Sequence, residues 1–338
     1  MKKTILAAAL VAAAASAQAD TKFYGHVAYN VVFGDESSIP ESRDYEFNRH
    51  GFSETRFGVN FSKKAGGIKW LALQEYGVAE GEGALDSRRQ AFGISGGFGK
   101  ILFGQYNDVG DGVLHADLAG TALADPMASA SAGVVGRITD FGDTDITTDN
   151  RSFNVNGFDP GRGEALRYYT PKLGGVVTFG AQLQENEGFE VAMKLNAAGF
   201  RLYGFYEDGG DEDGGATYEY AAGALVGYKF AFGLSLTAVA STREDLAGDT
   251  IDHSAFKIGY AFGKHKLSYK FQTADGVNFE GAGNEDNRED EPVTSSVAWV
   301  YAPAKGVSLY AAVKAATDDS DADNDSGTAF GVGGRVKF

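Results

Sequence analysis

The feature that most restricts the fold is a two-residue alternation of apolar and polar side chains that recurs along almost the whole chain. From Phe23 onward, Phe23, Gly25, Val27, Tyr29, Val31 and Phe33 fall on one face, and Lys22, Tyr24, His26, Ala28 and Asn30 on the other. The same division separates Phe57, Val59 and Phe61 from Arg56 and Asn60, and Val177, Phe179, Ala181 and Leu183 from Thr178, Gln182 and Gln184. It returns where Leu267, Tyr269 and Phe271 interleave with Lys266, Ser268, Lys270 and Gln272. Successive Cβ atoms of an extended chain point to opposite sides, so a period of two means strands. Residues 68 to 78 resist the pattern, because Trp70, Leu71, Ala72 and Leu73 stand in succession and do not declare an outer face.

The connections come in two kinds that alternate. Seven are short and carry glycine, as in Ala65-Gly66-Gly67, Gly96-Gly97-Phe98-Gly99 and Ala197-Ala198-Gly199. Eight are long and acidic, near residues 34–50, 80–87, 107–163, 185–188, 208–216, 243–251, 274–291 and 316–327. Fifteen connections join sixteen strands, and the series is not interrupted by a linker, so residues 20–338 read as one domain. Short turns at one rim and long loops at the other predict an all-β, up-and-down, 16-stranded antiparallel transmembrane β-barrel. A sandwich, a propeller or a soluble barrel would use the same alternation. Size favours the membrane barrel, because sixteen strands enclose a lumen too wide for side chains to fill, so the apolar face belongs outside.

The first residues fit an exported chain. Two lysines at positions 2 and 3, an apolar run from Ile5 to Ala15 and an Ala17-Gln18-Ala19 ending read as a signal peptide over residues 1–19, cleaved before Asp20, rather than as a buried helix. Its loss would leave 46 acidic residues against 28 basic ones, a charge of −18. The chain has no cysteine, so disulfides, thiolate metal sites and cysteine nucleophiles are excluded. A strongly acidic chain repels phosphate backbones, which argues against nucleic acid as a partner.

With these strands in place, the chain resembles the general porins of Gram-negative outer membranes. The residues that carry the resemblance are Phe23-Tyr24-Gly25, Thr55-Arg56-Phe57-Gly58-Val59, Ser87-Arg88-Arg89-Gln90-Ala91-Phe92-Gly93, Leu166-Arg167-Tyr168-Tyr169-Thr170-Pro171 and the terminal Gly331-Val332-Gly333-Gly334-Arg335-Val336-Lys337-Phe338. The resemblance implies an outer-membrane homotrimer amid lipopolysaccharide, a water-filled channel for small hydrophilic solutes and ions, and a long third loop folded into the lumen. By that resemblance the segment 107–163 is the loop. Phe330, Val332, Val336 and Phe338 share the face of a last strand that stops on an aromatic residue, which resembles the signal read by the outer-membrane assembly machinery.

The same resemblance sets wall arginines against loop acids. Arg56 and Arg89 fall on the inward face by alternation and match the family's wall arginines; Arg137 resembles a third, and Arg167 faces inward by alternation alone. Asp111, Asp117 and Asp125 are the expected acidic side, although the loop lacks the Pro-Glu-Phe-Gly-Gly motif of enteric members. Fixed charges of opposite sign across a waist order water and pass small polar solutes. The acidic total predicts a mild cation preference.

Three further expectations complete the reading. The run Asp318-Asp319-Ser320-Asp321-Ala322-Asp323-Asn324-Asp325 does not follow an EF-hand, so no cofactor is expected beyond loosely bound Ca²⁺ or a lipopolysaccharide-bridging cation. No histidine among His26, His50, His115, His253 and His265 sits on a lipid face beside a serine, and no Gly-x-Ser-x-Gly elbow exists, so an enzyme is not expected. A substrate-specific channel for sugars or anions is the alternative: inward Tyr24, Tyr169 and Tyr203 look too scattered for a sugar track.

Overall fold

The computed structural model describes residues 20–34, 45–48, 55–78, 85–124, 162–185, 187–210, 218–244, 246, 248, 250–275, 277–278, 289–290, 293–317 and 326–338. The expected signal peptide lies outside them, as do Arg137, Asp125 and the acidic run from Asp318 to Asp325.

Sixteen strands close the barrel. They are β1 (Asp20–Gly34), β3 (Arg56–Ala65), β4 (Ile68–Val78), β5 (Leu85–Gly96), β6 (Gly99–Asn107), β7 (Arg162–Tyr169), β8 (Val177–Gln184), β9 (Phe189–Ala197), β10 (Phe200–Asp208), β11 (Tyr220–Lys229), β12 (Leu234–Glu244), β13 (Thr250–Phe262), β14 (His265–Asp275), β17 (Val293–Ala304), β18 (Val307–Thr317) and β19 (Ser326–Lys337). Each pairs antiparallel with its sequence neighbour among them. The circle closes where β1 pairs β3 through residues 20–26 and β19 through residues 26–34. Short strands β2 (Tyr45–Asn48), β15 (Val277–Asn278) and β16 (Glu289–Asp290) stand outside the staves: β2 pairs with β1, and β15 with β16. Closure is what lets strands cross a bilayer, since every backbone N–H and C=O of a stave finds a partner in its neighbours.

Burial runs opposite to that of a soluble protein. Leu183 is 62% exposed and Phe23 56%, whereas Arg167, Glu75, Lys257, Lys270 and Gln272 are among the most buried side chains. Apolar residues therefore face outward around the whole circumference, and polar ones face the lumen. A Lys or Arg on the lipid face would cost about 2–4 kcal/mol at the bilayer midplane, so the alternation fixes the orientation of every stave. Aromatic contacts gather on the outer surface at the short-turn rim, where Phe262, His265, Trp299 and Tyr301 stack. The undeclared segment in β4 resolves the same way: Trp70 turns outward against Phe92, and Glu75 turns inward, so Leu71 and Leu73 line the lumen with it.

The rims differ in detail from the two classes of connection read in the sequence. At the 185–188 connection the flanking strands meet closely, with Gln184 N–H donating to the Gly188 carbonyl at 2.9 Å and Glu187 at φ 66°. Strand β5 also begins at Leu85, inside the stretch expected to be loop.

Candidate functional site

The stretch after β6 enters the lumen and runs along its wall. Val109, Val113 and Leu114 pack against Phe205, Leu225 and Val239, and Leu123 and Ala124 pack against Val300, Tyr310 and Ala329. These wall residues are apolar on the inward face, an exception to the alternation that the loop itself explains. Each fully buried aliphatic side chain contributes about 1.5–3 kcal/mol, so the loop is seated by its own apolar face. Glycines make the seats. A Cβ at Gly180 would lie 2.8 Å from Val109, one at Gly223 2.9 Å from Leu114, and one at Gly227 3.0 Å from Leu118. At Gly259 it would lie 2.1 Å from the Cβ of Ala119, well inside contact.

Polar latches fix the path. Val109 N–H donates to Gln182 at 3.1 Å, Lys194 Nζ donates to the Asp111 carbonyl at 2.7 Å, and the hydroxyls of Thr121 and Ser268 meet at 2.7 Å. Asp117 lies 3.5 Å from Lys257 and is 2% exposed, and it also accepts from the N–H groups of Ala119 and Thr121. Its carboxylate is thus turned to the wall. Asp111 stays half-buried beside Asn107, which donates to it, and within the field of Arg88 and Arg162.

On the wall of β3–β7 stands a basic cluster organised around one acid. Glu75 accepts from the Tyr24 hydroxyl at 2.9 Å, from Arg88 Nε at 3.2 Å and from Arg89 Nη1 at 3.4 Å, with Arg56 Nη1 at 4.0 Å. Arg162 and Arg335 interact with the same charges. Alternation turns Arg56 and Arg89 inward, as expected. It turns Arg88 outward, yet Arg88 reaches Glu75, because the pairing of β4 with β5 slips between Glu75 and Tyr76, with Arg88 the extra residue between Arg89 and Ser87. A bulge re-aims a side chain by inserting one extra residue. The sequence did not mark Glu75 or Arg88 as site residues and read Tyr24 only as one of three scattered inward tyrosines; the doublet Arg88-Arg89 opposite an inward Glu was the signal available.

Arg167 faces inward but lies at 0% exposure, away from the open bore. It donates to the carbonyls of Gly104, Tyr106 and Gly163, to Gln182, and to Asp108 at 2.8 Å. It clamps the root of the loop to the wall. Ser241 and His253, paired at 3.2 Å on the inner wall, are both buried.

The chain end closes the seam. Phe338 N–H donates to the Gly25 carbonyl at 3.0 Å, Gly25 N–H donates back to Phe338 at 3.2 Å, and the Phe338 ring covers Gly25, where a Cβ would come within 2.6 Å. Phe330, Val332 and Val336 are on the same outward face.

Solved structures share this architecture. An anion-selective porin from Comamonas acidovorans superposes with a TM-score of 0.69 at 16% identity, over 95% of this chain and 100% of that one. OmpT expressed in the outer membrane of Vibrio cholerae gives 0.61 at 15%, over 96% and 99%, and a trimer form of OmpT folded in vitro gives 0.62 at 15%, over 95% and 99%. No curated protein matches the sequence. A family model described as Gram-negative porin matches residues 5–334. With staves, inward polar face and inserted loop already in place, that match means the chain belongs to the Gram-negative porin family and forms a channel of the outer membrane.

Proposed function

We propose that the chain is a general diffusion porin, passing small hydrophilic solutes and ions through a bore narrowed by the segment from Asp108 to Ala124. The observation that carries this reading is the asymmetry of the waist. Among the described residues Arg56, Arg88 and Arg89 converge on Glu75, with Asp111 also acting on Arg88, while Asp117 and Asp108 are turned to Lys257 and Arg167. Arg56 and Arg89 then form the basic side, joined by Arg88, and Asp111, bonded by Asn107 and within the field of Arg88 and Arg162, is the loop acid set against them; Arg137 and Asp125 lie outside the described residues. Net charge alone argues for cations. Placement argues the reverse, since permeating ions sense the nearby wall more strongly than distant loops screened by salt. We therefore assign the bore a mild anion preference; the acidic total is the observation on the other side.

The homotrimer of the resemblance fits the outer face of β4–β6. Gln74, Gln90 and Gln105 pair across three strands in one row. The next row toward the turns is Ala72, Phe92 and Phe103, and beyond the glutamines stand Tyr76 and Leu85. Amides set within an apolar band cost several kcal/mol against hydrocarbon, so a protein surface is the better neighbour. Phe338 is the proposed assembly signal, and lipopolysaccharide the proposed surround.

Liposome swelling with uncharged sugars tests the diffusion reading. Rates should fall smoothly with solute size and rise linearly with concentration; saturation by one sugar would support a substrate-specific channel instead.

A further inference from the structure

Below the arginine cluster the wall carries a cation that the pore reading leaves unused. Lys100 on β6 is half-buried, faces the lumen, and stands directly across from Tyr169 in the β6–β7 pairing. Its ammonium lies 4.0 Å from the centroid of the Tyr169 ring and 5.9 Å from that of Tyr106. Arg89 lies 5.5 Å from the Tyr106 ring, so cations and rings alternate along this stretch. Among the described residues Lys100 makes no hydrogen bond and no ion pair. Ring faces attract an ammonium but do not accept its protons as an oxyanion does. A second ammonium, that of Lys194, is close enough to interact with it, and is tethered under the loop by the Asp111 carbonyl at 2.7 Å.

Two cations of one sign, Lys100 seated on the tyrosine faces and Lys194 beside the Glu190 carboxyl, form a receptor for an anion that brings two charges and several acceptor oxygens. We propose that Lys100, with Lys194 beside it, is a subsite for small oxygen-bearing dianions, either inorganic phosphate or a short dicarboxylate, on the wall beneath the inserted loop. The inference rests on the anion-favouring bore proposed above and names the solutes it concentrates. The tyrosines fix the ammonium and lower its competition with water; the dianion supplies the missing acceptors. Occupancy would slow chloride while the dianion resides there.

The test is chloride current through single channels in a planar bilayer, with inorganic phosphate, succinate or acetate added at constant ionic strength. Phosphate, succinate or both should reduce the current along a saturating curve, and which probe blocks names the source. Acetate should block more weakly. Lys100→Gln should raise the half-blocking concentration about tenfold, the loss expected from one charge-assisted hydrogen bond, read against the variant's own unblocked current. Lys100→Arg should restore the block. Equal block by acetate, or block unchanged in Lys100→Gln, would overturn the subsite. A channel that prefers chloride to potassium but shows no block sinks the subsite alone; a channel without anion preference sinks the reading of the bore.

Discussion

Asp117 of the inserted loop stands 3.5 Å from the ammonium of Lys257 on β13, and both side chains are almost wholly buried. A carboxylate on a loop inserted into a water-filled lumen would be expected to face the water. This one faces the wall, accepts two backbone N–H groups of its own turn, and holds the loop in place.

Removing one member of such a pair should therefore act on the loop before it acts on selectivity. A buried ion pair broken on one side costs about 3–5 kcal/mol. Asp117→Asn and Lys257→Gln should each lower the melting temperature of the detergent-solubilised barrel and increase open-channel noise, with the double variant less affected than their sum. Unchanged noise would mean that the loop does not depend on this latch.

The glycine seats give a second prediction. Gly259→Ala places a methyl group 2.1 Å from the Cβ of Ala119 and must displace the loop or the stave, whereas a Cβ at Gly97 meets nothing within 4 Å. Overpacking of this kind costs about 1–3 kcal/mol. Gly259→Ala should change single-channel conductance, and Gly97→Ala should not.

Arginines that look alike in the sequence should separate in experiment. Arg56→Ser and Arg89→Ser remove charge from the bore and should shift the reversal potential toward cations. Arg167→Ser should leave selectivity nearly unchanged but destabilise the barrel by about 3–5 kcal/mol, because its removal orphans Asp108 and several carbonyls at the root of the loop. Heat-induced unfolding on a gel checks the second half, and salt-gradient recordings the first.

The outer amide row can be probed in the same way. Gln90→Arg puts a charge at the proposed contact between subunits and should convert a cold-gel trimer to monomer, while Gln182, on the inner face, offers no comparable route. Persistence of the trimer would move the contact elsewhere on the barrel.

Strand number and orientation were legible because both follow from a period of two and from turn chemistry. Val177, Phe179 and Leu183 declare their lipid face without any knowledge of partners. The waist was less legible for three physical reasons. The slip in β4–β5 pairing adds a residue without altering composition, so Arg88 reads as outward. Burial behind the loop depends on which wall the loop meets, so neither Asp117 nor Arg167 announces that it is structural. Net charge counts the acids of the rim equally with the lysines and arginines of the wall, and so carries no information on where along the bore each charge stands. In β4, Leu71 and Leu73 face the lumen, a choice disclosed by Glu75 on the same face and by Trp70 packed outward on Phe92.

The most direct test of the account is the reversal potential of the purified protein in a planar bilayer under a potassium chloride gradient. Discrete conductance steps with a potential displaced toward the chloride equilibrium value are predicted, with Arg56→Ser and Arg89→Ser moving it back. A potential displaced toward potassium and unmoved by those substitutions would contradict the claim that the wall arginines, rather than the acidic exterior, set what passes.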